Sequence, residues 1–167
     1  MINSRVIARR RNHSSPSPHL SENDMRLLKR EAMMSNFTFK HSAVIKDSKG
    51  NVILKFHNRI LENRVFHAEV GAFYTLFTNR RKLLRGGNTD HLSIYVCRVS
   101  AQKFTNSFPC CHCFRYLNDL NKKLGGKLSV FYTDSDGIFK KLDFSCDIPK
   151  RTKKFVKIVK GKSIVTT

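Results

Sequence analysis

The sequence predicts one α/β domain in which helices cover both faces of a mixed β-sheet. Segments with helical periodicity alternate along the chain with short segments rich in β-branched residues. Two neighbouring strand segments are separated by a helix, which favours parallel pairing, whereas short turns join two other pairs and favour antiparallel pairing. We therefore expect a three-layer α/β/α sandwich with about five strands and an antiparallel final strand. The length of 167 residues fits a single domain.

The first half of the domain is predicted as helix, hairpin and helix. Ser21 is a suitable N-cap for a helix over residues 21–35, which has acidic residues in its first turn. Residues 42–46 and 52–56 are β-rich and flank a turn-forming segment, which is typical of a β-hairpin. A second helix is predicted over residues 67–85, where a Gly-Gly pair stops it. Its rough apolar stripe consists of Val70, Phe73, Tyr74, Phe77 and Leu84.

The second half is predicted as strand, helix, strand and strand. Residues 92–99 are strand-like, and a helix over residues 110–124 begins after Pro109 and ends at a second Gly-Gly pair. Residues 128–133 form the next strand, and an Asp- and Gly-rich turn leads to the last strand at residues 138–144. The strand–helix–strand crossover should join parallel strands.

Basic residues dominate the charge of the chain. There are 32 Lys and Arg against 12 Asp and Glu, for a net charge of +20. Such a charge attracts polyanions, namely nucleic acid, nucleotides or an anionic surface, although a generally basic proteome would also explain it. The predicted domain spans residues 21–146. Residues 1–20 are interpreted as a disordered basic tail, with an organelle transit peptide as the alternative, and residues 147–167 as a second basic tail.

Cysteine placement indicates a reducing compartment. Three of the five cysteines lie within residues 110–113, which is a poor disulfide framework and suits a metal. Cys97 and Cys146 are expected to be small buried hydrophobes. The chain has neither an apolar run of the roughly 18–20 residues that span a bilayer nor a signal-peptide core. We expect an intracellular, cytoplasmic protein with no membrane partner, and organelle import as the alternative.

Two short motifs carry the candidate chemistry, and each begins a predicted helix. They are His67-Ala68-Glu69 and Pro109-Cys110-Cys111-His112-Cys113. His67, Cys110 and Cys113 are candidate Zn²⁺ ligands, because one imidazole and two thiolates match its preferences. Three protein ligands leave a position for water, as in catalytic zinc sites, where the pKa of that water falls to about 7. Glu69 is then a candidate general acid–base.

Other interpretations of the Cys-x-x-Cys spacing are a zinc ribbon, a redox motif or chance. A zinc ribbon needs a second cysteine pair at a suitable spacing, which the sequence lacks. A thioredoxin-like motif leaves His67 and Glu69 without a role. Cys111 and His112 lie between the proposed ligands and are interpreted as packing or surface residues.

The two motifs together resemble those of the cytidine and deoxycytidylate deaminase superfamily, His-x-Glu followed by Pro-Cys-x-x-Cys. HAEV resembles the ligand and proton-shuttle motif, and FPCCHC resembles the second motif. The segments KHSAVI and HNR are similar to the first hairpin of nucleotide and tRNA adenosine deaminases. The resemblance covers residues 21–144 and implies a cytidine deaminase-like fold and a zinc-dependent hydrolase that releases a nucleobase amine as ammonia.

The same resemblance implies residues that contact substrate. Asn58 would bind the sugar or base, with a turn residue that closes a strand as the alternative. Ala68 would offer its backbone amide to the base. Phe108 is a further candidate to stack on the base, with core packing as the alternative. Gly71 stands where deoxycytidylate deaminases usually carry Asn, and Ile60 stands where the free-cytidine branch carries Glu, so the substrate stays open.

Three functions follow from these observations. The favoured one is an enzyme that attacks C4 of cytosine in cytidine, deoxycytidine or dCMP. The second is a deaminase of cytidine in a polynucleotide or of adenosine in tRNA, with the basic tails holding single-stranded nucleic acid or tRNA. The third is a catalytically inactive zinc-fold protein that binds nucleic acid. Members of the superfamily commonly form homo-oligomers, which the resemblance implies here.

Overall fold

The computed structural model describes residues 20–61, 64–79 and 91–147, and the structural statements below concern these residues. They form three helices and eight strands. In chain order these are α1 (Glu22–Met33), β1 (Lys40–Lys46), β2 (Val52–His57), β3 (Arg59–Leu61), β4 (Arg64–Phe66), α2 (Ala68–Thr78), β5 (Leu92–Ser100), β6 (Lys103–Thr105), α3 (Cys111–Lys123), β7 (Leu128–Thr133) and β8 (Phe139–Lys141).

The main sheet has the strand order β2-β1-β5-β7-β8, and the short strand β6 pairs with β5. Strand β1 is antiparallel to both β2 and β5, whereas β5 and β7 are parallel and β8 is antiparallel to β7. The predictions of a mixed sheet, a parallel crossover pair and an antiparallel final strand are therefore confirmed.

Helices cover both faces of this sheet. Alternate residues of a strand point to opposite faces, and the buried residues accordingly form two separate clusters. On one face, Leu28 and Ala32 of α1 pack over the central strands. On the other face, apolar residues of α2 and α3 pack together over the same strands, with Leu76 and Leu117 completely buried. The three-layer α/β/α architecture is confirmed.

The N-terminus of α1 is held by a capping box and a buried ion pair. Ser21 and Asp24 hydrogen-bond reciprocally at the start of the helix. Asp24 also contacts Lys46 of β1, with 2.6 Å between Nζ and the carboxylate oxygen. Burial opposes ionisation of Asp24, but the hydrogen bonds from Lys46 and Ser21 hold its pKa below the usual value. These contacts fix α1 on the sheet.

The structure differs from the sequence prediction in three places. Strands β3 and β4 form a separate two-stranded sheet, and β6 extends the main sheet; neither was predicted. The buried apolar face of α2 is Ala68, Ala72, Phe73 and Leu76, so the predicted stripe is right at Phe73 and wrong at Tyr74 and Phe77. Tyr74 and Phe77 are exposed instead. Small residues bring α2 close to the sheet on the face that also buries Phe73, and Tyr74 and Phe77 lie outside that face. Cys146 is exposed rather than buried, whereas Cys97 is buried as expected.

Several predictions fall outside the described residues. These are the extension of α2 to residue 85, the Gly-Gly pair expected to stop it, and nearly all of both basic tails.

No helix in residues 20–61, 64–79 or 91–147 has the length and apolar character needed to cross a bilayer.

Gly71 of α2 lies directly against Phe56 of the sheet. A Cβ built on Gly71 would lie 2.5 Å from Cζ and 2.9 Å from Cδ1 of Phe56. The Phe56 ring is completely buried, so it has no free space to enter. Gly71→Ala is therefore expected to lower the free energy of unfolding by about 1–3 kcal/mol, as overpacked cores do. Urea denaturation measures the change.

A control for Gly71→Ala is Thr78→Ala at the exposed end of the same helix. This substitution should change stability by well under about 1 kcal/mol. Replacing a glycine by alanine at a helix position with free space raises the free energy of unfolding by roughly 0.5–1 kcal/mol. A stabilised Gly71→Ala protein would therefore contradict the close packing.

Candidate metal centre

The metal centre is built where the N-termini of α2 and α3 meet. His67 is the N-cap residue of α2, Cys110 is the N-cap residue of α3, and Cys113 lies in the first turn of α3. The candidate ligand atoms of these three residues all lie within 4.8 Å of one another. Nδ1 of His67 is 3.2 Å from Sγ of Cys113 and 3.6 Å from Sγ of Cys110. Residues that are 43 and 46 positions apart in sequence are thus brought together.

Local backbone geometry directs these side chains toward each other. His67 and Cys110 both have extended backbone angles before their helices begin. Neither side chain makes a capping hydrogen bond to its own helix, so neither is committed to the helix end. The N-terminal amides and the helix dipole favour a thiolate at this place. The helix starts therefore supply both the position and the charge preference of the ligands.

Electrostatics concentrate negative charge on Cys110. A hydrogen bond from Cys113, followed by one from His67, lowers the pKa of Cys110 to about 3, although burial acts in the opposite direction. The hydrogen bond with Cys110, together with burial, raises the pKa of Cys113. The hydrogen bond with Cys110 also raises the pKa of His67. Since the thiolate is the form in which cysteine binds a metal ion, the low pKa of Cys110 suits a cation at this place.

The three residues are positioned to hold a metal ion. One imidazole and two sulfurs form a borderline-soft donor set, and three ligands leave room for a further one. His67 is exposed, Cys110 is half-buried and Cys113 is buried, so the centre has a dry side and an open side. Cys111 and His112, which lie between the cysteines in sequence, are not members of the cluster.

The open side of the centre faces a cavity of about 430 Å³. His67, Glu69 and Cys110 line it, together with the loop before β1 and the loop before α3. Glu69 is only 5% exposed and lies in the first turn of α2. Burial raises the pKa of Glu69, although the positive charge of His67 and a hydrogen bond with Cys113 act in the opposite direction. A carboxyl group is thus placed beside the metal ligands and at the cavity wall.

The predicted substrate contacts lie in or beside the cavity. Asn58 lines it and ties together two backbone segments: its Oδ1 accepts from the His41 amide at 2.9 Å, and its Nδ2 donates to the Phe39 carbonyl at 2.8 Å. Phe108 also lines the cavity, and its ring packs edge-on against Tyr132. The Ala68 side chain is buried in the core, and its amide is one of the helix N–H groups without an intrahelical acceptor. Their roles toward substrate stay predictions.

Sequence reasoning missed much of the cavity wall. Phe37, Thr38 and Phe39 line the cavity, as does Val65 of β4. Ser107 was also missed. It is buried, lines the cavity and lies three residues before Cys110. The aromatic alternation in FTF just before β1 was the one local signal available.

Ser107 joins the loop before α3 to two central strands. Its Oγ donates to the Val96 carbonyl at 2.9 Å and accepts from the Thr133 amide at 2.8 Å. Ser107→Ala leaves both buried backbone groups without this partner, which costs about 1–3 kcal/mol of stability. We expect a lower urea midpoint and, because the loop carries Cys110, weaker metal binding in competition with a chelator. Ser100→Ala, at an exposed position at the end of β5, is the control, and equal behaviour of the two variants would contradict this assignment.

Fold and site together define an α/β protein with a His/Cys/Cys metal-binding centre at one cavity. No protein-family model and no curated protein matches the sequence.

Proposed function

We propose that the protein is a zinc-dependent hydrolase that removes the exocyclic amine of cytosine in a nucleoside or nucleotide and releases ammonia. One observation carries the proposal: a buried carboxyl group, Glu69, lines the same cavity as His67 and Cys110, two members of the His/Cys/Cys cluster. The similarity of the two motifs to those of the cytidine and deoxycytidylate deaminase superfamily supports it.

Zinc is the proposed metal because its preferred ligands in proteins are thiolates and imidazoles, and His67, Cys110 and Cys113 offer both. Sites with four protein ligands are structural, whereas three ligands leave a coordination position for water. When bound, zinc supplies Lewis-acid activation of a water molecule at neutral pH.

Glu69 is proposed to move the protons of the reaction. It lies two residues after a metal ligand and at the wall of the substrate cavity. In hydrolytic deamination, the water oxygen bonds to C4 and the C4–N bond breaks. Glu69 takes the two protons of the water in turn, delivering the first to the ring nitrogen and the second to the leaving amine as the C4 carbonyl forms, so the products are the uracil base and ammonia.

The cavity supplies the remaining contacts. Its volume of about 430 Å³ falls in the range of small-molecule sites. The Asn58 amide and the Ala68 N–H are proposed to bind the sugar and the base. The Phe108 ring is proposed to flank the base, since it lines the cavity and is held edge-on by Tyr132.

Metal analysis followed by a substrate panel tests the proposal. Purified protein should contain one zinc per chain by mass spectrometry. It should release ammonia from at least one of cytidine, deoxycytidine, their monophosphates, adenosine and short single-stranded oligonucleotides. Absence of zinc would overturn the metal assignment. Stoichiometric zinc without ammonia from any of these substrates would overturn the enzymatic function and favour a catalytically silent binding protein.

A further inference from the structure

One aromatic ring at the mouth of the cavity is left largely to solvent. Phe39, in the loop before β1, lines the cavity and is 58% exposed. The guanidinium carbon of Arg98 lies 4.2 Å from the centre of this ring, in a cation–π arrangement. The ring and the guanidinium together form a surface that we call the Phe39–Arg98 platform.

The position of Arg98 in the sheet places the platform on the side of the metal centre. Arg98 pairs with His41 of β1 near the end of β5. Its neighbours Cys97 and Val99 point into the core beneath α1. Because side chains alternate along a strand, Arg98 points to the opposite face, which α2 and α3 cover.

The side chain of Arg98 is not explained by a structural ion pair. Among the described residues, no acidic side chain forms a salt bridge with it. Its Nε is buried and has no hydrogen-bond partner in the described part of the chain. Within the described residues, the contact that the structure shows for the guanidinium is the ring of Phe39.

The backbone beneath the ring is held in place. The Phe39 carbonyl accepts a hydrogen bond from Nδ2 of Asn58 at 2.8 Å. Asn58 in turn binds the His41 amide, and Ser35 donates to the Asn58 carbonyl at 3.0 Å. A lone exposed aromatic residue needs no explanation. The Phe39 ring differs from such a residue, because its backbone is fixed, a guanidinium stacks on it and it lies at the cavity mouth. These properties suit the binding of a flat, electron-rich ligand.

We propose that the Phe39–Arg98 platform stacks a nucleobase adjacent to the one in the cavity, so that the preferred substrate is a cytosine nucleotide within a single-stranded polynucleotide rather than a free one. This rests on the proposed function, which places the reacting base in the cavity. Bases of any sequence stack on aromatic side chains, and arginine adds both stacking and attraction to the neighbouring phosphate. The net charge of +20 favours a polyanion in the same way. A free nucleoside would leave the platform uncovered.

Binding to a turnover-deficient protein tests the platform separately from catalysis. The zinc-loaded full chain with Glu69→Gln is titrated with a short single-stranded oligonucleotide, in DNA and RNA forms, that carries one cytosine flanked by 2-aminopurine. Stacking on the platform should quench the 2-aminopurine fluorescence. Adding Phe39→Ala should abolish the quench and raise Kd about tenfold or more, as the loss of one stacked base does. Phe39→Trp should preserve both.

Phe77→Ala is the matched control, since Phe77 is also an exposed aromatic residue but lies near the C-terminal end of α2, away from the metal ligands at its start. It should leave Kd and the quench unchanged. Zinc content and circular dichroism confirm that each variant is folded. Equal Kd values for the Phe39→Ala and Phe77→Ala proteins, or no binding of either oligonucleotide, would overturn the platform.

The active protein separates this proposal from the proposed function. With Glu69 restored, Phe39→Ala should lower the ratio of kcat/KM for the oligonucleotide to that for free cytidine. If the protein releases ammonia from free cytidine but its oligonucleotide binding does not depend on Phe39, the platform proposal is wrong and the deaminase proposal stands. Quenching that depends on Phe39, without ammonia from any substrate, would sink the deaminase and leave the platform.

Discussion

Glu69→Gln is expected to abolish ammonia release while one zinc per chain stays bound. The amide keeps the size and shape of the carboxylate but cannot accept a proton and return it. General acid–base groups contribute roughly 10²–10⁴-fold to a rate. Because Glu69 is assigned every proton transfer of the reaction, we expect the loss of kcat to reach the upper end of that range or exceed it. A coupled ammonia assay and metal analysis on the same preparation measure both quantities.

The control for Glu69→Gln is Glu22→Gln, which removes an exposed carboxylate in the first turn of α1. That variant should retain full turnover. A Glu69→Gln protein that works at a rate within tenfold of the unaltered protein would remove Glu69 from the proposed role. Loss of zinc from it would instead mean that the carboxyl group supports the metal centre rather than the reaction.

Cys113→Ala is expected to lose bound zinc and all turnover. Cys113 is the buried member of the cluster, and its sulfur lies 3.2 Å from Nδ1 of His67. Without it, only two ligands remain, and an alanine side chain leaves a gap in the first turn of α3. Dialysis against a weak chelator followed by metal analysis should find well under one zinc per chain, and the thermal midpoint should fall because bound metal stabilises the folded state.

Cys111→Ala is the matched control, because it removes a thiol from the same turn of α3 and lies outside the metal cluster. Its zinc content and turnover should equal those of the unaltered protein. If the Cys111→Ala protein loses zinc and the Cys113→Ala protein keeps it, the ligand assignment is wrong, and the second motif binds metal through a different pair of sulfurs.

The parts of the fold that were predictable are those with a local chemical signal. Ser21 and Asp24 predict the start of α1, because they form its capping box. The segment between β1 and β2 consists of polar residues and glycine, which predicts a turn. Gly125 and Gly126 follow α3 with positive φ values, as its predicted stop requires. The metal cluster was predictable because both of its motifs sit at helix starts, so two local signals located one tertiary contact.

The parts that were missed depend on contacts between distant segments. Strands β3 and β4 have only three residues each, too few for periodicity to show. The role of Ser107 depends on its hydrogen bonds with Val96 and Thr133, and no sequence spacing links these residues to it. The stripe in α2 was wrong at Tyr74 and Phe77 because a search for large apolar residues overlooks small ones, and the buried face of this helix includes Ala68, Gly71 and Ala72 beside Phe73 and Leu76.

The tight fit of Gly71 against Phe56 also limits how this protein can change. The two positions depend on each other, since any side chain at residue 71 would overlap with the Phe56 ring. A larger residue at position 71 is tolerated only if Phe56 has been replaced by a smaller residue. That replacement, made first, leaves a cavity in the core. Gly71 and Phe56 can therefore be exchanged for other residues when both change together, whereas a substitution of either one alone gives a less stable protein.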